Sequence, residues 1–106
     1  MNKIIENFEA MLARGQDNAL IRYTLGSAYF NQQDFALAVE HFGKALQFDP
    51  KYSAAWKAYG KALAENQQVQ EAIEAYTQGI EVAEQKGDKQ AAKEMMVFLK
   101  RLQKTP

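Results

Sequence analysis

Residues 19–52 read ALIRYTLGSAYFNQQDFALAVEHFGKALQFDPKY, and residues 53–86 read SAAWKAYGKALAENQQVQEAIEAYTQGIEVAEQK. Displacing the chain by 34 residues brings the two stretches into register. Gly26 then falls on Gly60, Ala28 on Ala62, Gln33 on Gln67, Ala38 on Ala72 and Glu40 on Glu74. Val39 falls on Ile73, Phe42 on Tyr76, Leu46 on Ile80 and Phe48 on Val82. Small residues meet small ones and large apolar residues meet large ones. A period of this size marks stacked repeats, in which each unit is one supersecondary element that cannot bury its apolar face alone.

Outward from this pair, apolar residues recur at three- and four-residue spacing, and no stretch alternates with period two. The expectation is therefore an all-α fold of about six helices. The first helix covers about Asn2 to Ala13, with Ile4, Ile5, Phe8, Met11 and Leu12 on one face and Gly15 as its stop. The second covers Ala19 to Gln32 and is capped by Asp17 or Asn18. The third starts after Asp34 and ends near Phe48, because Pro50 cannot continue it and disfavours helical geometry at Asp49. The fourth spans Ser53 to Asn66 and the fifth Val69 to Lys86. Gly87 stops the chain and Asp88 caps the sixth, which runs to about Gln103. Short links between helices give antiparallel neighbours.

Composition narrows the function. The 106 residues suit one domain, and 13 basic against 13 acidic side chains give a formal net charge of zero. That balance argues against nucleic acid, whose binders are normally basic. With no Cys and a single histidine, His41, thiolate zinc sites, iron–sulfur clusters and multi-histidine metal sites are excluded for one chain. No run of apolar residues is long enough for a membrane helix, and the N-terminal MNKIIENFEAM is interrupted by Glu6 and Glu9, unlike a secretory signal. A cytoplasmic protein without membrane attachment is expected.

Period and residues together resemble the tetratricopeptide repeat, whose signature is W-x2-L-G-x2-Y, then A-x3-F, an Ala and a closing Pro. Segment 19–52 carries Leu25, Gly26, Tyr29, Ala38, Phe42, Ala45 and Pro50 at the matching places, with Arg22 in place of the Trp. Segment 53–86 supplies Trp56, Gly60, Ala72 and Tyr76, but has Tyr59 for Leu, Leu63 for Tyr, Gly79 for Ala and Glu84 for the closing Pro. The missing Pro lets the fifth helix run longer than the third. The resemblance implies antiparallel helix pairs stacked as a short right-handed α-solenoid. It divides one domain over 1–106 into a half-repeat helix (1–18), repeat one (19–52), repeat two (53–86) and a capping helix (87–106), where Lys93 and Glu94 replace the Leu-Gly pair. Gly26 and Ala38 are expected to let the second and third helices approach closely, as Gly60 and Ala72 do for the next pair.

No catalytic motif is present: no G-x-S-x-G, no H-E-x-x-H and no glycine loop for phosphate. No enzyme activity and no cofactor are expected. His41 reads as a partly exposed surface residue, Glu71 with Glu74 as solvated charges, and Trp56 as a packing residue. The resemblance implies that the first helix of each pair lines a concave groove. Helical spacing then assigns to it Leu20, Tyr23, Ser27, Phe30 and Asn31, next Ala54, Lys57, Lys61, Ala64 and Glu65, and finally Ala91, Met95, Phe98 and Leu102.

Such a groove suits a protein or peptide partner, acidic with apolar flanks, held by apolar burial and charge pairing at Lys57 and Lys61. One subclass of the family binds the C-terminal carboxylate of heat-shock chaperones through Lys and Asn on the first helix, Asn on the next, and Lys and Arg on the third. The matching places here hold Tyr23 and Ser27, then Ala58, then Asp88 and Ala92, so that mode is not expected. The last nineteen residues carry five basic against two acidic side chains, which complements the dipole of the final helix or draws an acidic partner. The alternative is a self-associating scaffold that pairs through Ile4 and Phe8 of the first helix. A monomer is expected, because those residues can also fold onto the second helix.

Overall fold

Helix ends are set by local chemistry. The computed structural model describes residues 2–104, and the outermost positions of the two terminal segments lie outside the described residues. Six helices follow one another: α1 (Lys3–Ala13), α2 (Ala19–Asn31), α3 (Phe35–Phe48), α4 (Ser53–Glu65), α5 (Val69–Lys86) and α6 (Lys89–Lys104). Asn2 caps α1 through Oδ1, which accepts from Ile4 and Ile5. Asn18, not Asp17, caps α2 by accepting from Ile21. Asp34 does the same for Leu37 in α3, and Asp88 for Ala91 in α6. Without a closing Pro, α5 reaches 18 residues against 14 in α3.

Four helices end in one device. After α1 and α5 the chain turns through Gly15 (φ 84) and Gly87 (φ 78). After α2 and α4 the same left-handed position is held by Gln33 and Gln67, both at φ 65. In each case the next amide reaches back five residues: Gln16 to Met11, Asp34 to Tyr29, Gln68 to Leu63 and Asp88 to Ala83. These bonds satisfy carbonyls that the helix end leaves open.

Helices adjacent in sequence pack on each other, and the molecule is only 18 Å thick, about two helix diameters. α2 touches α4, and α4 touches α6, whereas α1, α3 and α5 make no backbone-level contact with one another among the described residues. One layer is therefore continuous and the other splayed, which makes the α2–α4–α6 side concave. Leu25, Phe42, Leu63, Tyr76 and Met95 are the largest fully buried side chains and run along the stack from α2 to α6. Polar bonds add to the apolar packing between successive units: Trp56 Nε1 donates to the Pro50 carbonyl (2.8 Å), Lys86 Nζ to the Lys51 carbonyl (2.7 Å), and the buried Ser53 hydroxyl to Asp88 (2.9 Å). The Ser53 bond also holds the Asp88 carboxyl below its ordinary pKa.

His41 departs from the expectation of a partly exposed surface residue. It is 3% exposed, because α1 closes over it. Its ring stacks on Tyr29 (centroids 5.4 Å, 6° between planes), Nδ1 lies 3.1 Å from the Arg22 guanidinium, and Nε2 faces Glu9 at 3.8 Å. The Tyr29 hydroxyl donates to Glu9 at 2.5 Å, and Arg22 grips Asp17 with two 2.8 Å bonds. α1 buries no residue of its own, so this polar cluster supplements a thin apolar contact. Burial pushes the Tyr29 pKa up to about 12, with the Glu9 bond adding to it, and pushes His41 below its ordinary value.

Candidate functional site

The concave side is built on α2, α4 and α6. Lys61 of α4 stands at its centre, with Nζ 5.7 Å from the centroid of Phe30 on α2 and 5.8 Å from that of Phe98 on α6. The ammonium thus lies between two aromatic faces, an arrangement favoured by their quadrupoles. Two depressions open beside it. The smaller, of 100 Å³, lies between α2 and α4 and is lined by Ser27, Phe30, Asn31, Phe42, Ala58 and Lys61. The larger, of 250 Å³, lies between α4 and α6 and is lined by Lys61, Ala64, Glu65, Tyr76, Phe98, Arg101 and Leu102.

Ser27, Phe30, Asn31, Lys61, Glu65 and Phe98 are therefore brought together as their helical spacing predicts. Other expected groove residues sit elsewhere. Met95 is a core residue at 0% exposure, because Gly79 on α5 leaves room for its thioether: a Cβ on Gly79 would come 2.6 Å from Met95 Sδ. Ala91 is buried beside it. Tyr23 packs down on Tyr52 and Phe42, with ring centroids 5.0 and 5.8 Å away. Leu20, 64% exposed, lines neither depression. Lys57 is turned to its own fold: Nζ donates to Glu94 on α6 at 2.7 Å, which lowers the Glu94 pKa and neutralises the charge assigned to a ligand.

Sequence reasoning missed the charged groove residue Arg101, along with Phe42, Ala58 and Tyr76, which also line the depressions. The Arg101 guanidinium lies 5.9 Å from the Phe98 centroid, three residues back on the same helix face. That spacing was legible, but the basic run at the chain end had its ordinary explanation in the helix dipole. Among the described residues no cluster of His, Asp and Glu could hold a metal ion, and no helix is long and apolar enough to cross a membrane.

The sequence pattern of the tetratricopeptide repeat family matches residues 5–53 and again 23–88. The chain belongs to this family. A tetratricopeptide repeat relative in Pseudomonas aeruginosa, the TPR repeat-containing protein PA0015, is 46% identical over 99 residues, 93% of this chain and 94% of that one. Protein BPP2914 of Bordetella parapertussis, solved in solution, is 46% identical and superposes with a TM-score of 0.83 over 96% of this chain and 89% of that one. The crystal structure of a tetratricopeptide repeat domain protein from Salinibacter ruber gives a TM-score of 0.75 at 24% identity, over 82% and 98% of the two chains. That last likeness bears on fold alone. Tetratricopeptide repeats are generally protein-interaction modules rather than catalysts.

Proposed function

We propose that the concave groove binds a peptide segment of a partner protein without chemistry. The segment carries an Asp or Glu side chain for Lys61, flanked by apolar side chains that rest on Phe30 and Phe98. The observation that carries this reading is the position of Lys61 between those two rings, with a depression on either side. An acidic side chain arriving there meets a cation held in a partly apolar setting, where charge pairing is stronger than in open water. The 100 Å³ depression has room for one apolar side chain of moderate size. On this reading the working unit is the pair of repeats, 19–52 and 53–86, closed by a helix at each end, acting as a cytoplasmic monomer with neither nucleic acid nor membrane as its target.

Selection from a random peptide library displayed on phage tests the proposal. Peptides with one acidic residue between apolar ones should be enriched on the wild-type protein and lost on Lys61→Glu. Enrichment of neutral or basic peptides, or retention of the same peptides by Lys61→Glu, would refute it.

A second reading, self-association through α1, draws on that helix having no buried residue and on Ile4 being 51% exposed. Phe8 is half-buried, however, which leaves little apolar surface for a stable dimer. Sedimentation at high protein concentration separates the two, and a single monomeric species removes the second.

A further inference from the structure

The outer face carries a crevice of its own. α4 packs against both α3 and α5, but α3 and α5 make no backbone-level contact with each other among the described residues. The stripe of α4 formed by Trp56, Tyr59 and Leu63 is left as a floor, walled by Glu71, Glu74, Ala75 and Gln78 of α5, with a volume of 380 Å³. The wall on the α3 side is low. Gly43 stands beside Tyr59, where even an added Cβ would remain 3.7 Å from the ring. The rings of Trp56 and Tyr59 meet at 62° with centroids 6.3 Å apart, so they form a corner and not a stack.

Polar groups at the rim are unspent. Glu74 has no hydrogen-bond or ion-pair partner among the described residues, and Glu71 only accepts a bond from the Gln68 side chain at 3.1 Å. The Tyr59 hydroxyl likewise bonds to no other described residue. We propose that this crevice is a second docking site, on the face opposite the groove, and that it takes an arginine side chain of a partner protein. A guanidinium is planar and weakly hydrated, so it can lie against an aromatic face while presenting its fork of N–H donors to carboxylates. The two rings offer negative quadrupole and apolar surface for the methylene stem, and Glu71 and Glu74 offer full charge. The groove, centred on Lys61, has the opposite charge preference. The two faces together let the chain hold an acidic segment of one partner and a basic segment of another.

Trp56 is the only tryptophan, so its indole resonance identifies the site without ambiguity. The test is an NMR titration of the wild-type protein with acetyl-Gly-Arg-Gly-amide, with the citrulline and lysine analogues as controls. The arginine peptide should shift the Trp56 indole and saturate in the millimolar range expected for one side chain. The citrulline peptide, which keeps the shape and loses the charge, should bind about fivefold more weakly or worse, and the lysine peptide also more weakly. Glu71→Gln combined with Glu74→Gln alters exposed side chains only and should weaken the arginine peptide by about fivefold at an unchanged melting temperature. Equal binding of the citrulline or lysine peptide, unchanged affinity in the double variant, or shifts that spare Trp56 would each overturn the assignment. A Trp56 shift that follows protein concentration without peptide would give the crevice to a second copy of the chain instead.

Discussion

Gly60 and Tyr76 stand in contact across the α4–α5 crossing: a Cβ on Gly60 would lie 2.7 Å from Cδ1 of the Tyr76 ring. Gly26 and Phe42 repeat the arrangement across α2 and α3, with Cδ1 at 2.6 Å. Each repeat thus matches a missing side chain on its first helix to an aromatic ring on its second. Ala38 and Ala72 are buried as well, and the ring fills the space at each glycine.

Tyr76 is buried and stacks on Phe98 at 5.8 Å, so its ring has no room to retreat. Gly60→Leu should therefore overpack the crossing and cost about 1–3 kcal/mol. At the usual scaling for a domain near this size, the melting temperature falls by several degrees or more. Gly43→Ala is the control. An added Cβ there meets Tyr59 at an ordinary 3.7 Å. Alanine is the better helix former by about 1 kcal/mol, so this variant should melt higher than the wild type. Calorimetry on the two variants checks both signs.

Gln33 and Gln67 occupy left-handed turns where a side chain is strained. The strain at such a position is about 1–2 kcal/mol for a residue with a Cβ, offset in part by the larger unfolded-state entropy of glycine, about 0.4–1 kcal/mol. Gln33→Gly and Gln67→Gly should each raise stability by about 0.5–1 kcal/mol. Urea titration measures this as a higher midpoint with an unchanged slope. A lower midpoint would mean that the Gln side chains supply contacts that outweigh the strain.

These positions show where the sequence was legible. Helical spacing located six helices and most of their ends, because caps such as Asp34 and stops such as Gly87 act locally. The left-handed glutamines carry no such local signal, since glutamine has no preference for that conformation. In the groove, Phe30, Lys61 and Phe98 followed from the repeat and from helix geometry. Met95 did not: it lies three residues before Phe98, on a boundary that only the empty space at Gly79 resolves in favour of the core. Lys57 was misassigned because Glu94 is 37 residues away in the chain. His41 was misread because its cover, α1, precedes the best-matched repeats.

The cluster around His41 predicts a pH dependence. The groups that face it are Glu9 from α1, Arg22 and Tyr29 from α2 and Asp17 from the turn before α2, with Glu40 on its own helix. Burial, aided by Arg22, depresses the folded-state pKa below the ordinary 6.5. Above 6.5 the ring is neutral in both the folded and unfolded chain and contributes no pH dependence. As the pH falls below 6.5, the unfolded chain takes up the proton first, and stability declines until the folded ring is protonated too. Melting temperature should thus fall with acidification between about pH 6.5 and 5, before most carboxylates titrate. His41→Gln should flatten that slope. Hydrogen exchange should show α1 loosening first, because Glu9 ties it to the cluster. An equal slope in wild type and variant would place the titration elsewhere.

Lys57 and Lys61 are one turn apart on α4, yet the fold gives them different tasks. Lys57 closes α4 onto α6 through Glu94, a half-exposed and solvent-screened pair whose loss should change stability little. Lys61 makes no ion pair among the described residues and faces the two rings of the groove. Lys57→Ala should leave the affinity for an acidic–apolar peptide within about twofold, since the removed charge was already neutralised. Lys61→Glu should abolish that binding, because it replaces one attraction by a repulsion at the centre of the groove. Its melting temperature should change little, the side chain being exposed. Rising salt should weaken the wild-type complex and leave the residual affinity of Lys61→Ala nearly flat. Isothermal titration with one peptide against the wild type and the three variants separates these contributions. Equal losses at Lys57 and Lys61 would mean that the Lys57–Glu94 pair opens on binding and that both lysines meet the ligand.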